Sequence, residues 1–127
     1  MIVKFRICII ILANLTFSLN FMCQISSFQS GEWTQTSTWI GGVVPTNSDN
    51  VIIKSGHTVE VTSDRTVKDI EVETLGTLKL SNNITVTIYA GFITNQYIVN
   101  NGTFDGPGTL EIIGYTYFSG NGVFEND

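Results

Sequence analysis

The sequence predicts an all-β fold in which short strands stack as a parallel β-helix (β-solenoid), right- or left-handed, of about five coils with an N-terminal cap. Composition is the first indication, because residues 24–127 hold one Ala and four Leu against twenty-one Ile and Val, with twelve Gly and fifteen Thr. Alternation of apolar and polar residues within short runs is the second, and internal repetition is the third. A helical bundle is excluded, and a β-sandwich is the alternative fold.

The first 23 residues have the pattern of a cleaved secretory signal peptide. Lys4 and Arg6 give a positive start, residues 7–17 form a short and mainly apolar run, and polarity rises afterwards. Both cysteines lie within residues 1–23, so no disulfide is expected in the mature chain. An uncleaved anchor and a lipid on Cys23 are less favoured, since small side chains usually precede a lipid-modified cysteine and are missing here.

Residues 24–50 are predicted to form the capping segment. Their Ser, Thr and Gly content disfavours a helix. A solenoid exposes apolar core and unpaired backbone at its ends, so the first coil needs a cover. We expect Trp33 and Trp39 to provide this structural cap together with Ile40, Val43 and Val44, and Pro45 to terminate it. A sugar-stacking role for the two indoles is the alternative.

Residues 51–127 are predicted to form the coils, incomplete at the C-terminus. Short β-forming runs alternate there with Gly, Asn and Ser turns. Apolar residues at every second position predict one buried and one exposed face for each strand. The expected inward pairs are Val59/Val61, Ile70/Val72, Leu78/Leu80, Val86/Ile88 and Leu110/Ile112.

Two internal echoes favour stacking. The segment 101–105 is repeated at 121–125, twenty residues further on, and the segment 76–80 is echoed at 108–112, thirty-two residues further on. A period near twenty residues suits one coil of a β-solenoid. The Asn-Gly pairs at the start of 101–105 and 121–125 could instead form the hairpin turns of a β-sandwich.

The residues between Gly31 and Val59 also carry a family resemblance. They include a Trp at 33, Thr-Trp-Ile-Gly-Gly-Val-Val-Pro-Thr at 38–46, Asp-Asn-Val-Ile-Ile at 49–53 and Ser-Gly-His-Thr-Val at 55–59. This opening resembles that of secreted Bacteroidetes surface proteins of the type IX secretion cargo type. It is also similar to the eight-glycine extracellular domain of fibrocystin-like and hyaluronidase-like cell-surface proteins.

The resemblance implies a parallel β-helix and an extracellular address, and it implies no catalytic residue. Members of the bacterial group usually continue much further and end in a sorting domain. The chain is therefore expected to be either a truncated part of a longer protein or a short variant whose last coil needs an external cap.

Three acidic residues are the candidate metal ligands. Asp69, Glu71 and Glu73 alternate along one predicted strand and therefore project from the same exposed face. Carboxylate oxygens suit Ca²⁺, and paired carboxyl groups suit glycoside hydrolysis. The favoured interpretation is a solubilising face, with the acids paired to Lys68 or Lys79 on adjacent coils, because no calcium-binding loop motif accompanies them.

Tyr115 and Tyr117 are the candidate binding residues, because both are expected to face outward and could stack on sugar rings. The favoured alternative is a lateral cover for a flat sheet face. His57 is the one histidine of the chain and lies in a Ser-Gly-His turn. It lacks the second ligand of a metal site and the serine motif of a triad, so it is predicted to be a turn residue.

These features predict a secreted or cell-surface structural or adhesive module that is not an enzyme. Alternatives are a carbohydrate-binding module and the N-terminal fragment of a polysaccharide-degrading β-helix enzyme. Residues 24–127 contain all eleven carboxylates and four basic residues, a charge near −7 that disfavours nucleic acid as a partner. Extracellular glycans or further domains of a longer chain are the expected partners, no membrane insertion is expected after signal cleavage, and no cofactor is expected unless the acids hold Ca²⁺.

Overall fold

The computed structural model describes residues 24–89, 96–114 and 116–126, and this part of the chain is a parallel β-solenoid. All pairs between its named strands are parallel, which confirms the predicted all-β solenoid over the β-sandwich. The described residues contain two short 3-10 turns, Thr36–Thr38 and Ile40–Gly42, and no α-helix. The predicted signal peptide, residues 1–23, lies outside the described residues.

The strands form three sheets, here called sheets one, two and three. Sheet one contains β1 (Gln24–Ser26), β3 (Asn50–Ile53), β6 (Asp69–Val72), β9 (Gln96–Asn100) and β12 (Thr116–Ser119). Sheet two contains β2 (Gly31–Glu32), β4 (Thr58–Val61), β7 (Thr77–Leu80), β10 (Thr103–Asp105) and β13 (Val123–Phe124). Sheet three contains β5 (Arg65–Val67), β8 (Thr85–Tyr89) and β11 (Thr109–Ile113).

Each complete turn of the solenoid passes through sheets one, two and three in that order. The strands β3–β5, β6–β8 and β9–β11 make three complete turns, whereas β1–β2 and β12–β13 make partial ones. The described residues therefore hold about four turns, where the sequence predicted about five.

The pairing register confirms the internal echo of twenty residues. Thr103 pairs with Val123 and Phe104 with Phe124, as that repeat predicted. The echo of thirty-two residues relates strands of different sheets, since Thr77 pairs with Thr103 in sheet two and Thr109 belongs to sheet three. In both strands the Thr of the Gly-Thr-Leu segment is not buried, and the Leu that follows packs in or against the core.

The core consists of inward residues stacked in columns. In each column one residue lies directly above its partner in the next turn, and all of these side chains are buried. The columns are Val51–Ile70–Ile98 in sheet one, Val59–Leu78–Phe104 in sheet two and Val67–Ile88 in sheet three. Burial of each aliphatic side chain contributes about 1.5–3 kcal/mol relative to exposure.

Of the five predicted inward pairs, the one on β11 is only partly covered. Leu110 packs against the core, but Ile112 is 38% exposed. The reason is topological, because β11 pairs with β8 and has no strand on its other side within the described residues.

The segment before β3 forms the first partial turn of the solenoid and also covers the apolar core at that end. Strands β1 and β2 extend sheets one and two, and the ladder continues when the Trp33 N–H donates to the Glu60 carbonyl at 2.8 Å. Trp33 and Trp39 are both buried in an edge-to-face pair with ring centroids 4.9 Å apart. Trp39 Nε1 donates to the Trp33 carbonyl at 2.7 Å. Pro45, which follows in the same segment, is also buried.

Ile40 does not join the indoles in the core and is 56% exposed. It immediately precedes Gly41 and Gly42, whose φ angles of 78° and 65° turn the chain at the surface. The expectation that Ile40 helps cover the first coil was therefore wrong, whereas Val43 and Val44 do pack against the core.

A small hydrogen-bonded turn connects the cap to β3. The Thr46 N–H and the Thr46 hydroxyl both donate to Asp49 Oδ2 at 2.7 Å, and Asp49 is buried. The Asp49 carbonyl accepts from the Lys68 N–H at 3.2 Å, which ties the cap to the following turn. Burial of the Asp49 carboxylate is thus compensated by hydrogen bonds.

Replacing Trp39 tests the cap. Trp39→Ala should lower the free energy of unfolding by about 3–5 kcal/mol, because it empties a fully packed site and removes the bond to the Trp33 carbonyl. The neighbouring change Ile40→Ala is the matched control, with an expected effect of about 0.5 kcal/mol or less. Urea denaturation monitored by far-UV circular dichroism measures both, and similar small losses in the two variants would show that the indole does not close the core.

Candidate functional site

The three predicted acids lie on sheet one and at its edge. Asp69 and Glu71 are on β6, half-buried, with Asn50 and Ile52 as their neighbours on β3. Glu73 follows the strand, at the corner between sheets one and two. The structure thus places Asp69 and Glu71 on the exposed face of sheet one and turns Glu73 toward a neighbouring corner.

Glu73 is part of a contact between turns. Its carboxylate accepts hydrogen bonds from Lys54 Nζ and, at 3.0 Å, from the Ser55 N–H. The ammonium of Lys54 and the bond from Ser55 lower the pKa of Glu73 below its ordinary value, against a smaller opposing effect of desolvation. The partner is Lys54, whereas Lys68 and Lys79 were the expected ones.

The acids are not gathered into a metal site. Within the part of the chain that the structure describes, no group of three or more His, Cys, Asp or Glu side chains is arranged to hold a metal ion. Glu73 is engaged by Lys54 at the corner, whereas Asp69 and Glu71 stay on the sheet face.

Charged side chains also line the exposed face of sheet two. The register sets Glu32 beside Glu60, Glu60 beside Lys79, and Lys79 beside Asp105. The pKa of Glu32 is lowered, mainly because the Thr62 hydroxyl donates a hydrogen bond to its carboxylate. Lys79 thus lies between two acids in one column, a pattern that keeps a flat sheet face soluble.

Tyr117 is on the exposed face of sheet one, as predicted, and is 59% exposed. Tyr115 lies outside the described residues. The register sets the backbone of Tyr97 on β9 directly beside Tyr117 on β12. Tyr97 was missed in the sequence, although the repeat of twenty that relates Asn101 to Asn121 also relates Tyr97 to Tyr117.

His57 closes a corner, as predicted, and also holds a serine. Its backbone N–H donates to the Lys54 carbonyl at 3.0 Å, and the intervening Gly56 has a φ of 76°. Ser27 Oγ lies 2.8 Å from His57 Nδ1 and accepts the Lys54 N–H at 2.9 Å. Because Ser27 Oγ accepts from the backbone, its own hydrogen is available to the imidazole nitrogen.

This Ser27–His57 pair is not arranged for nucleophilic catalysis. Ser27 is 1% exposed, so its hydroxyl cannot reach a substrate. The pair instead joins the partial first turn, which carries Ser27, to the second turn, which carries His57. Ser27 could not be found from the sequence, because the two residues are thirty positions apart and no motif links them.

Two shallow depressions are found on the described surface. One, of about 540 Å³, lies on the cap and is bordered by Phe28, Trp39, Ile40 and the two glycines that follow. The other, of about 270 Å³, lies at the last turn, with Phe104 and Phe124 on its apolar side and Asp105 and Glu125 on its polar side. Phe104 and Phe124 are stacked with centroids 5.2 Å apart, so this second depression has a preformed aromatic wall.

No helix among the described residues has the length and apolar character needed to cross a membrane.

Comparison with known proteins identifies the family. A model of the G8 domain matches residues 38–114, which is more than half of the chain. The match begins at Thr38 in the cap and extends just past the end of β11. No curated protein and no solved structure matches the chain. The match confirms the resemblance to the eight-glycine domain, and it covers the second half of the cap and the three complete turns of the solenoid. The chain belongs to the G8 domain family.

Proposed function

We propose that this protein is an exported cell-surface module with a structural or adhesive role and no catalytic activity of its own. The observation that carries the proposal is the continuous apolar core, in which inward columns run from turn to turn through the described residues. A solenoid of this kind is a rigid spacer, because each turn is held only by its neighbours and the whole extends in one direction.

Polar contacts between turns support the same role. Glu73 binds Lys54 one turn away, Ser27 binds His57, and the Asn100 carboxamide donates to the Val123 carbonyl at 3.1 Å. Each of these groups connects two successive turns instead of converging on a cleft. The polar side chains most suggestive of chemistry are thus used to fix the stacking.

The proposed address rests on the leader and on the resemblance. The leader has the pattern of an export signal. The opening segment resembles that of secreted Bacteroidetes surface proteins, so we propose type IX secretion cargo as the class. The acidic faces disfavour nucleic acid, which leaves extracellular glycans or further domains of a longer chain as partners.

The address is tested by comparing the full chain with a variant that lacks residues 2–23. In a host with type IX secretion, the full chain should be released or become accessible to protease on intact cells, and the leaderless variant should stay inside. Cell fractionation with immunoblotting is the measurement. Retention of the full chain in the cytoplasm would overturn the proposal.

A second candidate function is carbohydrate binding, favoured by the exposure of Tyr117. Tyrosine offers an apolar ring face with a polar tip, which suits the alternating surface of a sugar ring. The register sets the backbone of Tyr97 beside that of Tyr117 on the adjacent turn.

Glycan binding by the purified mature protein decides between the two functions. If the second candidate holds, Tyr117→Ala should weaken binding roughly tenfold, or about 1.4 kcal/mol, through loss of ring stacking. Tyr89→Ala is the matched control, because Tyr89 is also exposed but lies on sheet three. No saturable binding to a glycan array, or equal losses in both variants, would remove the second candidate and leave the structural role.

A further inference from the structure

Two Asn-Gly pairs occupy equivalent corners of successive turns. Asn101–Gly102 connects β9 to β10, and Asn121–Gly122 connects β12 to β13. The register superimposes them, since Thr103 pairs with Val123. Neither pair takes part in the candidate site, yet both contain the dipeptide most prone to spontaneous deamidation.

The chemistry needs only the chain and water. The glycine N–H loses its proton and its nitrogen attacks Cγ of the preceding asparagine, so that a new N–C bond closes a five-membered succinimide. The bond between Cγ and the carboxamide nitrogen breaks, and that nitrogen takes up a proton and leaves as ammonia. Water then opens the ring at either carbonyl and gives aspartate or isoaspartate. Glycine favours the reaction because it has no side chain to hinder the approach of its nitrogen. In the folded protein the glycine nitrogen must first be released from its hydrogen bond by local opening, and the carboxamide must be free to rotate.

At the first corner the fold prevents this approach. The Gly102 N–H donates to Asn100 Oδ1 at 3.1 Å, and Gly102 is buried against the carbonyl oxygens of Gly76 and Glu73. The Asn101 carboxamide oxygen accepts the Asn121 N–H at 3.4 Å. This corner is therefore covered by the preceding turn on one side and by the last turn on the other.

At the second corner the backbone is held only by hydrogen bonds to the preceding turn, among the described residues. The Gly122 N–H donates to the Asn100 carbonyl at 2.7 Å, and the Val123 N–H donates to the Gly102 carbonyl at 2.9 Å. The Asn121 side chain is exposed and makes no hydrogen bond to another described residue. Val123 and Phe124 are 52% and 56% exposed, so local opening here disturbs little packed surface.

We propose that Asn121 is a deamidation site and that Asn101 is protected by the fold. Isoaspartate at position 121 lengthens the backbone by one methylene, which moves the N–H groups of Gly122 and Val123 away from their acceptors on Asn100 and Gly102. Isoaspartate formation thus releases β13 from β10. This inference is independent of the proposed function.

The chain provides its own control, because both sites have the same dipeptide. Folded mature protein is incubated in mildly alkaline buffer, and the two peptides are followed by mass spectrometry with chromatographic separation of the isoaspartyl forms. We expect Asn121 to react at least about tenfold faster than Asn101 in the folded protein, since Asn101 requires opening of two turns. In urea the two rates should become similar. Equal rates in the folded protein, a faster reaction at Asn101, or no reaction at Asn121 would overturn the site.

Release of β13 is tested by hydrogen exchange. The amides of Gly122, Val123 and Glu125 donate to the preceding turn, so they should exchange faster in aged protein than in fresh protein. The variant Asn121→Ser lacks the reactive carboxamide and should keep the same protection after ageing. Unchanged protection in aged, deamidated protein, or equal loss in Asn121→Ser, would overturn the release.

Discussion

The structure depends on the vertical stacking of inward apolar residues in a parallel register. A turn presents only one or two buried side chains per strand, too few to form a core alone, and the turns therefore acquire a core by adding to a shared one. One column illustrates this, because Val59 is the register partner of Leu78, which is in turn the register partner of Phe104. The ladder of backbone hydrogen bonds is satisfied by the same arrangement, so register determines both packing and polar pairing.

The corners must be narrow for that register to hold. A Cβ at Gly102 would overlap the carbonyl of Gly76, and a Cβ at Gly122 would overlap the carbonyl of Gly102. Glycine at this corner is thus a consequence of close stacking between turns. Asn100 completes the corner from within, since it is buried and its carboxamide accepts from Gly102 and donates to Val123. The same features that stack the turns explain why the two Asn-Gly pairs differ in their protection.

Much of the fold could be predicted because alternation reports which face of a strand is buried. Ile70 and Val72 are inward as expected, and the repeat of twenty matches the pairing of Phe104 with Phe124. The period could not be predicted everywhere, since register neighbours are nineteen residues apart between Val51 and Ile70 but twenty-eight between Ile70 and Ile98. Connections between strands change length without changing the stacking, so no single period describes all the turns.

The side-chain contacts were harder to predict than the faces. Glu73 pairs with Lys54, and His57 pairs with Ser27. Both pairings depend on which corners of successive turns are stacked, and the sequence does not show this. Tyr97 follows from the register once the turn length is known. The G8 family match covers the three complete turns of the solenoid.

NMR measures the parallel register of the stacked strands most directly. Nuclear Overhauser effects between backbone protons of β7 and β10 should connect Leu78 with Phe104, and those between β8 and β11 should connect Val86 with Leu110. Parallel contacts between these pairs are the predicted result. Contacts between Leu78 and Leu110, or cross-strand contacts of the antiparallel type, would contradict the stacked solenoid.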